Sequence, residues 1–482
     1  MTIEYDLVII GGSLVARYAA ANASRLNARV ALVEPNTQTQ GQDAAIFHQS
    51  VMYLGRLIQQ IRHAQHQGWY WQEKPTLRWQ DLAQWTQAIT EIIDENGVPS
   101  LSLPHLAASG VDVVLGQGAF VERLPSRPRS STFNALSRHP LIVEVENRSL
   151  RSRTCLLAPP SQPIIPEIEG LASINYLTID SLSQQSWEAL PARLIIFGGE
   201  PRSIELAQVF NRLGSQVTLV VSSKRLLPYE DEEAIALLQA ILEAEGISIL
   251  TQTRITQTRQ IGDHTWVQAG NQALEADALL LALGRQQALT AFNLESIGVK
   301  WHPRGIPVNQ TLQTTNSRIY ACGEALGGYP LFHLAQYEAD LVLKNALLFA
   351  STQVDYRPIP IAIWTDPEFV RVGLTVSQAR QHYGDKIFVL QQEFKTLLKA
   401  HIHGETIGFC KLIVRSNGEI LGAHILGAGA SEWIGTIALA IQKRMNIRAI
   451  AQLPFISPTF SEILRSIAYQ WQQPSFIRRF WI

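Results

Sequence analysis

The 482-residue sequence contains only three cysteines, Cys155, Cys322 and Cys410. They are odd in number and widely spaced, and none belongs to a C-x-x-C pair, so the sequence lacks the spacing of a disulfide framework, a zinc site or a vicinal redox pair. We expect each cysteine to be a small buried side chain. We predict no metal site.

The sequence also lacks a charge excess and a long apolar run. Its 40 basic and 41 acidic residues leave a formal charge of −1, which predicts no nucleic-acid partner. No apolar run approaches the roughly 18 residues that span a bilayer, and the N-terminus lacks the basic flank of a signal peptide. We therefore expect a cytoplasmic protein, and the length predicts about three domains.

A dinucleotide-binding pattern is present near the N-terminus. It consists of an apolar strand, a glycine turn, an Ala-rich helix and a returning strand, at residues 7–10, 11–16, 19–26 and 30–34. The G-x-G-x-x-G/A fingerprint requires a tight turn, a bare backbone beside a pyrophosphate, a small packing residue and a later acid for a ribose hydroxyl. Gly11, Ala16 and Glu34 meet three of these demands, while Ser13 replaces the middle glycine. The alternative is a βαβ unit that only packs.

A second unit of the same kind follows, with a strand at 194–197, a turn at 198–203, a helix at 204–213 and a strand at 217–221. Here Glu200 replaces the middle glycine. A carboxylate about 5 Å from a phosphate charge costs about 3 kcal/mol at an effective dielectric near 20, or roughly a hundredfold in affinity. Residues 222–225, Ser-Ser-Lys-Arg, stand where an acid is usual. They suit a 2′-phosphate if a nicotinamide cofactor binds, or else form a solvated basic turn.

Several segments taken in order resemble the pyridine nucleotide-disulfide oxidoreductase family of dihydrolipoamide dehydrogenase, glutathione reductase and mercuric reductase. Residues 204–218 are similar to the helix and strand of its second domain. Residues 282–285 (Ala-Leu-Gly-Arg) resemble its A-T-G-R turn, and residues 319–324 resemble its Y-A-x-G-D segment. Three further segments resemble parts of the family's dimerisation domain, at residues 364–375, 420–427 and 458–462.

This resemblance implies an α/β fold with two Rossmann-like dinucleotide-binding domains and a C-terminal α+β dimerisation domain. The expected FAD-binding domain comprises residues 1–162 and 283–350, an NAD(P)-binding-like domain covers 163–282, and a homodimerisation domain covers 351–470. The resemblance also places His333 and Glu338 in a segment like the family's flavin-edge helix. The residues that it implies as FAD contacts are Gly11, Gly12, Ser13, Ala16, Glu34, Gly118, Arg285, Gly323, Glu324 and Ala335.

The sequence departs from the family at the redox-active disulfide. Counted without a gap from Glu34, the family's G-T-C-x-x-x-x-C motif falls on residues 41–48, so that Asp43 and His48 occupy the two cysteine positions. Thiol-disulfide exchange requires a thiolate that attacks a sulfur, so these residues exclude the usual dithiol chemistry. Asp43 and His48 are candidates for tuning flavin protonation, with helix capping and simple packing as the alternatives.

Two further departures affect acid-base chemistry and the flavin turn. The family's H-x-H-P-T-x-S-E segment corresponds to residues 455–462, where Ser457 replaces the general base and leaves Glu462, the third catalytic candidate, without its histidine. The A-T-G segment after the first domain is Ala158-Pro159-Pro160, whose prolines cannot donate hydrogen bonds there.

Two functions fit this pattern. The first is an FAD-dependent oxidoreductase that passes electrons directly to a quinone or other small acceptor, with doubtful use of NAD(P)H. The second is a catalytically retired FAD-binding homodimer that acts as a regulatory or partner-binding scaffold. The aromatic and basic tail at 471–482 bears on the second, since it could contact a protein or membrane surface. The alternative for the tail is packing across the dimer interface.

Overall fold

The computed structural model describes residues 3–36, 41–66, 68–70, 78–96, 101–121, 139–185 and 187–472, except for the side chains of 41–45, 65, 66, 90 and 93–96. The chain divides into two compact units. The first comprises Met1–Phe47, Ala83–Ile164 and Gly284–Val354, and the second His48–Leu82, Ile165–Leu283 and Asp355–Ile482. The three domain boundaries given above stay a prediction. Within the described part of the chain, every helix is too short or too polar to cross a membrane.

The secondary-structure elements are numbered in chain order. The strands up to residue 164 are β1 Tyr5–Ile10, β2 Val30–Glu34, β3 Asp112–Leu115, β4 Gly118–Phe120, β5 Leu141–Val145, β6 Arg148–Leu157 and β7 Gln162–Pro163. Those of residues 165–283 are β8 Tyr176–Thr178, β9 Arg193–Phe197, β10 Gln216–Val220, β11 Ser248–Leu250, β12 Ile255–Ile261, β13 His264–Ala269, β14 Gln272–Ala276 and β15 Ala278–Leu281. The remaining strands are β16 Arg285–Gln286, β17 Ile319–Ala321, β18 Ile361–Ile363, β19 Glu368–Gly373, β20 Ile387–Glu393, β21 Phe409–Arg415 and β22 Ile420–Gly427. The α-helices are α1 Leu14–Arg25, α2 Gly41–His66, α3 Trp79–Asn96, α4 Leu103–Ala108, α5 Pro201–Leu213, α6 Glu232–Ala244, α7 Phe332–Leu347, α8 Val376–Tyr383, α9 Leu398–His403, α10 Ala430–Gln442, α11 Ile447–Gln452 and α12 Glu462–Gln470.

The first unit is built on a seven-stranded sheet in the order β3-β2-β1-β6-β5-β4, with β17 paired to β6. β1 lies parallel to both β2 and β6. Residues 7–10 are all buried, which explains their uninterrupted apolar character, because a parallel strand is covered on both faces. The predicted strands at 7–10 and 30–34 are confirmed. Helix α1 begins at Leu14 rather than at residue 19, because Ser13 caps it.

The second unit contains a parallel sheet in the order β11-β10-β9-β15-β8. Its central strand β9 pairs with β10 and β15 and leads directly into α5. Pro201 begins α5, where its missing amide costs no helical hydrogen bond. Gly214 follows the helix in a left-handed conformation, at φ +112°. The predicted strand-turn-helix-strand order is therefore confirmed, with β10 ending at Val220.

The second unit also contains an antiparallel sheet in the order β18-β19-β22-β21-β20. Apolar side chains of this sheet form one buried cluster with α10, α11 and α12. Together with the parallel sheets, this sheet confirms the predicted mixture of α/β and α+β architecture.

Candidate functional site

The first glycine turn is closed by contact with the end of β6. Gly11 has φ +149°, and a Cβ on it would lie 2.1 Å from the carbonyl oxygen of Ala158. Only glycine fits such a close approach of two backbones. Ser13 has an extended backbone and donates its hydroxyl to the same Ala158 oxygen at 2.6 Å, while its Oγ accepts from the Ala16 amide at 3.3 Å. Ser13 therefore replaces the middle glycine without backbone strain.

The turn presents backbone donors that have no protein partner. Within the described residues, the amides of Gly12, Ser13, Leu14 and Val15 donate to no acceptor. Three of these four residues are buried, and a buried amide without a partner is costly. The N-terminus of a helix also carries the positive end of its dipole. These donors fit the pyrophosphate of FAD, which is the group that the resemblance implies.

Glu34 lies at the end of β2, as the fingerprint requires, and it is already paired. The Nε of Arg17, in the first turn of α1, donates to its Oε2 at 3.1 Å, and the guanidinium makes a second contact with Oε1. The Glu34 side chain is 3% exposed and that of Arg17 is 19% exposed. Sequence reasoning missed Arg17, because its position on the helix carries no signal for this partner.

Glu324 is held by the residue that follows the two prolines. The Ser161 amide donates to Glu324 Oε2 at 2.9 Å, and the Ser161 hydroxyl contacts the same oxygen. Arg285 Nε donates in turn to Ser161 Oγ at 2.6 Å. The other carboxylate oxygen of Glu324, Oε1, has no hydrogen-bond partner in the described ranges. It is available to accept from a ligand hydroxyl, as the predicted ribityl contact requires.

Gln287 is a further polar residue beside Glu324 that sequence reasoning missed. It is 7% exposed, and its amide nitrogen donates to the backbone oxygen of Glu324 at 2.6 Å. Its side-chain oxygen is buried and accepts from no group among the residues that the structure describes. No sequence motif marks this position.

Gly323 is confined by the helices on either side. It has φ +64°, and a Cβ on it would lie 3.0 Å from the side chain of Val15 and 3.1 Å from that of Ala335. Its amide donates to the buried Glu338 at 2.7 Å. Gly323 and Ala335 therefore lie beside the first residues of α1, while His333 is exposed at the start of α7. Their contacts with FAD stay a prediction.

Gly118 is the first residue of β4, in the seven-stranded sheet of the first unit. A Cβ there would lie 3.0 Å from the side chain of Val33 and 3.3 Å from that of Val143. Strand packing alone therefore disfavours a side chain at this position. Its predicted contact with adenine stays a prediction.

His48, at one of the predicted cysteine positions, has a carboxylate partner. Its Nε2 lies 2.7 Å from Oε2 of Glu205, and the two side chains are 8% and 3% exposed. The other oxygen of Glu205 accepts from the Trp364 amide at 2.7 Å, so the carboxylate is fixed on both sides. The second ring nitrogen of His48, Nδ1, has no hydrogen-bond partner among the residues with described side chains. The side chain of Asp43 lies outside the described residues.

Glu205 is on α5, 157 residues from His48. Glu205 is 2% exposed and shares its side of the helix with two other buried polar residues, Gln208 and Arg212. Buried acids require a partner. The sequence alone does not identify that partner.

The second glycine turn repeats the backbone conformation of the first and carries a carboxylate, Glu200, at its third residue. Gly198 has φ +157°, and a Cβ on it would lie 2.0 Å from the carbonyl oxygen of Ala282. Glu200 is the N-cap residue of α5, yet its side chain makes no capping hydrogen bond. The side chain is exposed, while nearby protein atoms partly desolvate the carboxylate and raise its pKa above the usual value.

The remaining catalytic candidate, Glu462, has a local structural role. It is the first residue of α12, and its Oε2 accepts from the Thr459 amide at 2.9 Å. Ser457, at the position of the family's general base, is exposed. In the tail, the ring of Trp471 packs edge-on against Phe388 with centroids 5.3 Å apart. Residues 473–482 lie outside the described residues.

The three cysteines are free and buried, as predicted. Burial raises the pKa of Cys155 to about 12 and those of Cys322 and Cys410 above the ordinary value of a thiol. These thiols therefore stay protonated near neutral pH, and a protonated thiol is a poor nucleophile. In the described part of the chain, His, Cys, Asp and Glu side chains form no cluster arranged to hold a metal ion.

Two family models match the chain. Residues 5–339 match the model of the pyridine nucleotide-disulphide oxidoreductases, and residues 359–468 match the model of their dimerisation domain. The second match supports the predicted homodimer.

Individual relatives span most of the chain. A mercuric reductase of Staphylococcus aureus is 30% identical over 453 residues, which are 92% of this chain and 78% of that protein. A dihydrolipoyl dehydrogenase of Bacillus subtilis (strain 168) is 29% identical over 474 residues, 95% of this chain and 96% of that protein.

Solved structures share the fold at lower identity. The HOCl-induced flavoprotein disulfide reductase RclA of Escherichia coli, in a Cu(II) complex, matches with a TM-score of 0.80 and 22% identity, over 98% of this chain and 100% of that one. LpdA of Mycobacterium tuberculosis matches with a TM-score of 0.82 and 21% identity, over 96% of this chain and 99% of that one.

Proposed function

Because the chain belongs to the pyridine nucleotide-disulphide oxidoreductase family, we propose that it is an FAD-dependent oxidoreductase that reduces a quinone or other small acceptor directly. It does so without disulfide chemistry and with weak or absent use of NAD(P)H. One observation carries this proposal. In the first glycine turn, four amides have no acceptor among the residues that the structure describes and fit a pyrophosphate, whereas the second turn has a carboxylate, Glu200, as its third residue.

Residues of the first unit would hold the cofactor. The amides at the start of α1 bind the pyrophosphate, Glu34 accepts from the adenosine ribose, and Glu324 Oε1 accepts from the ribityl chain. The other expected contacts are Gly118, Arg285, Gly323 and Ala335. When bound, FAD supplies two-electron chemistry that does not require a protein disulfide.

The absence of a cysteine pair supports direct transfer to the acceptor. The family's two cysteine positions hold Asp43 and His48, and the three cysteines of the chain stand elsewhere in the sequence. All three are buried and free. A dithiol relay therefore has no residues from which to form.

His48 is the candidate for proton transfer to the acceptor. Glu205 holds its Nε2 at 2.7 Å, which leaves Nδ1 as the atom that can exchange a proton. A carboxylate that orients an imidazole is a common arrangement in general acid-base catalysis. The connection of His48 with the flavin rests on its register with the family's motif.

A retired enzyme that binds FAD as a homodimeric scaffold is the second candidate. It is favoured by the use of Glu462 as a local cap and by the exposed Ser457 in place of a histidine. In this case the tail at 471–482 would contact a protein or membrane surface. For both candidates, cytoplasmic localisation stays a prediction.

Flavin reoxidation separates the two candidates. The purified protein is expected to be yellow, to bleach little when mixed anaerobically with NADH or NADPH, and, after reduction by dithionite, to be reoxidised rapidly by a soluble quinone. The variant His48→Ala should slow reoxidation by roughly 100-fold if His48 supplies the proton. His63→Ala, in the same helix, is the matched control and should not. A colourless protein, or a reduced flavin that quinone does not reoxidise, would contradict the enzymatic proposal.

A further inference from the structure

Arg17 and Glu34 form an ion pair, with the carboxylate buried, at the place where the fingerprint requires an acid for a ribose hydroxyl. Arg17 is the fourth residue of α1, the helix whose first amides have no acceptor within the described ranges. Glu34 is the last residue of β2. The guanidinium contacts both carboxylate oxygens, in the two-point geometry that makes arginine-carboxylate pairs strong and directional.

The pair addresses an electrostatic problem of the site. Glu34 is almost fully buried, and an unpaired buried carboxylate is strongly unfavourable. The pyrophosphate that fits α1 would add further negative charge nearby, and that charge would repel Glu34. Arg17 neutralises the carboxylate and comes from the same helix that supplies the amides.

The pair also leaves Glu34 able to bind a ligand. An ionised carboxylate offers about four acceptor positions, and Arg17 uses one on each oxygen. The others can accept from two ribose hydroxyls. Because the guanidinium is planar and holds both oxygens, it also fixes the plane of the carboxylate.

We propose that Arg17 is a positioning residue for the adenosine half of the cofactor, acting through Glu34. It fixes and neutralises the carboxylate that recognises the ribose. This inference rests on the proposed function only in taking FAD as the ligand. It does not depend on which acceptor is reduced, or on whether electrons are transferred at all.

A double-mutant cycle on FAD affinity tests the inference. The flavin is removed from the homodimer, and the dissociation constant is measured from the quenching of FAD fluorescence for wild type, Arg17→Gln, Glu34→Gln and the double variant. Arg17→Gln should weaken binding at least tenfold in the wild-type background and less than threefold in the Glu34→Gln background, because its effect passes through the carboxylate. Arg25→Gln removes an exposed positive charge from the same helix and should leave the constant unchanged.

Other variants and ligands keep the test decisive. If Arg17→Gln does not fold, Arg17→Lys keeps the charge without the two-point contact and should weaken FAD binding severalfold. ADP, which carries the ribose and the pyrophosphate, should lose the same factor as FAD in competition, because it contains the half of FAD that Glu34 binds. Equal effects of Arg17→Gln in both backgrounds, or wild-type affinity in both Arg17 variants, would overturn the inference. Failure of quinone to reoxidise the flavin would contradict the proposed function and leave these affinities unaffected.

Discussion

The two glycine turns of the chain share a backbone and differ in what their third residue does. Gly11 and Gly198 have φ values of +149° and +157°, and a Cβ on either would lie about 2 Å from the carbonyl oxygen at the end of a neighbouring strand. Ser13 then turns its hydroxyl onto Ala158, whereas Glu200 makes no capping bond and stays exposed. The part that the two turns share therefore serves chain geometry, and the turns differ in the polar group that their third residue presents.

The charged residues that follow the two turns also differ. The strand after the first turn ends in Glu34, which Arg17 holds. The strand after the second turn ends at Val220 and is followed by an exposed Lys224 with no acid. The first turn is thus followed by a buried acid and the second by a basic residue, which is the difference on which the proposed contrast in ligand binding rests.

Substitution of the first glycine of either turn should have the largest effect, which is a loss of stability. Gly11→Ala and Gly198→Ala should each lower the free energy of unfolding by about 3 kcal/mol or more, because the new Cβ overlaps a backbone oxygen. Only Gly11→Ala should also release the flavin, which the ratio of visible to ultraviolet absorbance measures. Gly110→Ala, at φ +88° with open space around it, controls for backbone strain alone. Loss of flavin from Gly198→Ala would contradict the predicted difference between the two turns.

The third residue of the second turn should have the next largest effect. Removal of the carboxylate in Glu200→Gly should strengthen NADH binding by roughly a hundredfold, because a repulsion of about 3 kcal/mol is lost. Bleaching of the flavin by NADH under anaerobic conditions, titrated against concentration, measures it. Ser13→Gly is the matched change in the first turn and should not alter NADH binding. If Glu200→Gly binds NADH with wild-type affinity, the carboxylate of Glu200 is not what weakens NADH binding.

The pH dependence of nucleotide binding tests the same carboxylate. Desolvation raises the pKa of Glu200, so the group becomes neutral as pH falls through that raised value. The affinity for NAD⁺ should therefore increase as pH is lowered through that raised value, and Glu200→Gln should flatten this dependence. Equilibrium dialysis with NAD⁺, which tolerates acid, measures both. If the wild-type profile is as flat as that of Glu200→Gln, the charge of Glu200 does not control NAD⁺ binding.

The smallest effect concerns capping. Ser13→Ala removes the hydroxyl that bonds Ala158 and should cost about 1 kcal/mol of stability. Glu200→Ala should cost almost nothing, since Glu200 makes no side-chain cap. Urea unfolding of the two variants provides the comparison. An equal loss in both would show that the two residues cap their helices alike.

Most of the fold could be predicted because its signals are local. Buried parallel strands produce continuous apolar runs, such as residues 7–10 and 194–197, and a glycine turn followed by a helix marks each βαβ unit. Helix α1 begins at Leu14, before the Ala-rich run at 19–26 that predicts it, because the short polar Ser13 of the fingerprint turn also caps the helix. The positions of Gly11, Glu34 and Glu324 in their elements were predictable from the motifs.

The sequence by itself determined the order of the elements, the two glycine turns and the absence of a cysteine pair, because each depends on residues that are close together in the chain. Only the tertiary structure decided which groups pair with the candidate residues. Arg17 holds Glu34, Ser161 holds Glu324 and Glu205 holds His48, across separations of 17, 163 and 157 residues. Hydrophobic periodicity specifies which face of an element is buried. It carries no information about the distant polar group that meets a buried charge, and that pairing is set only when the sheets and helices pack.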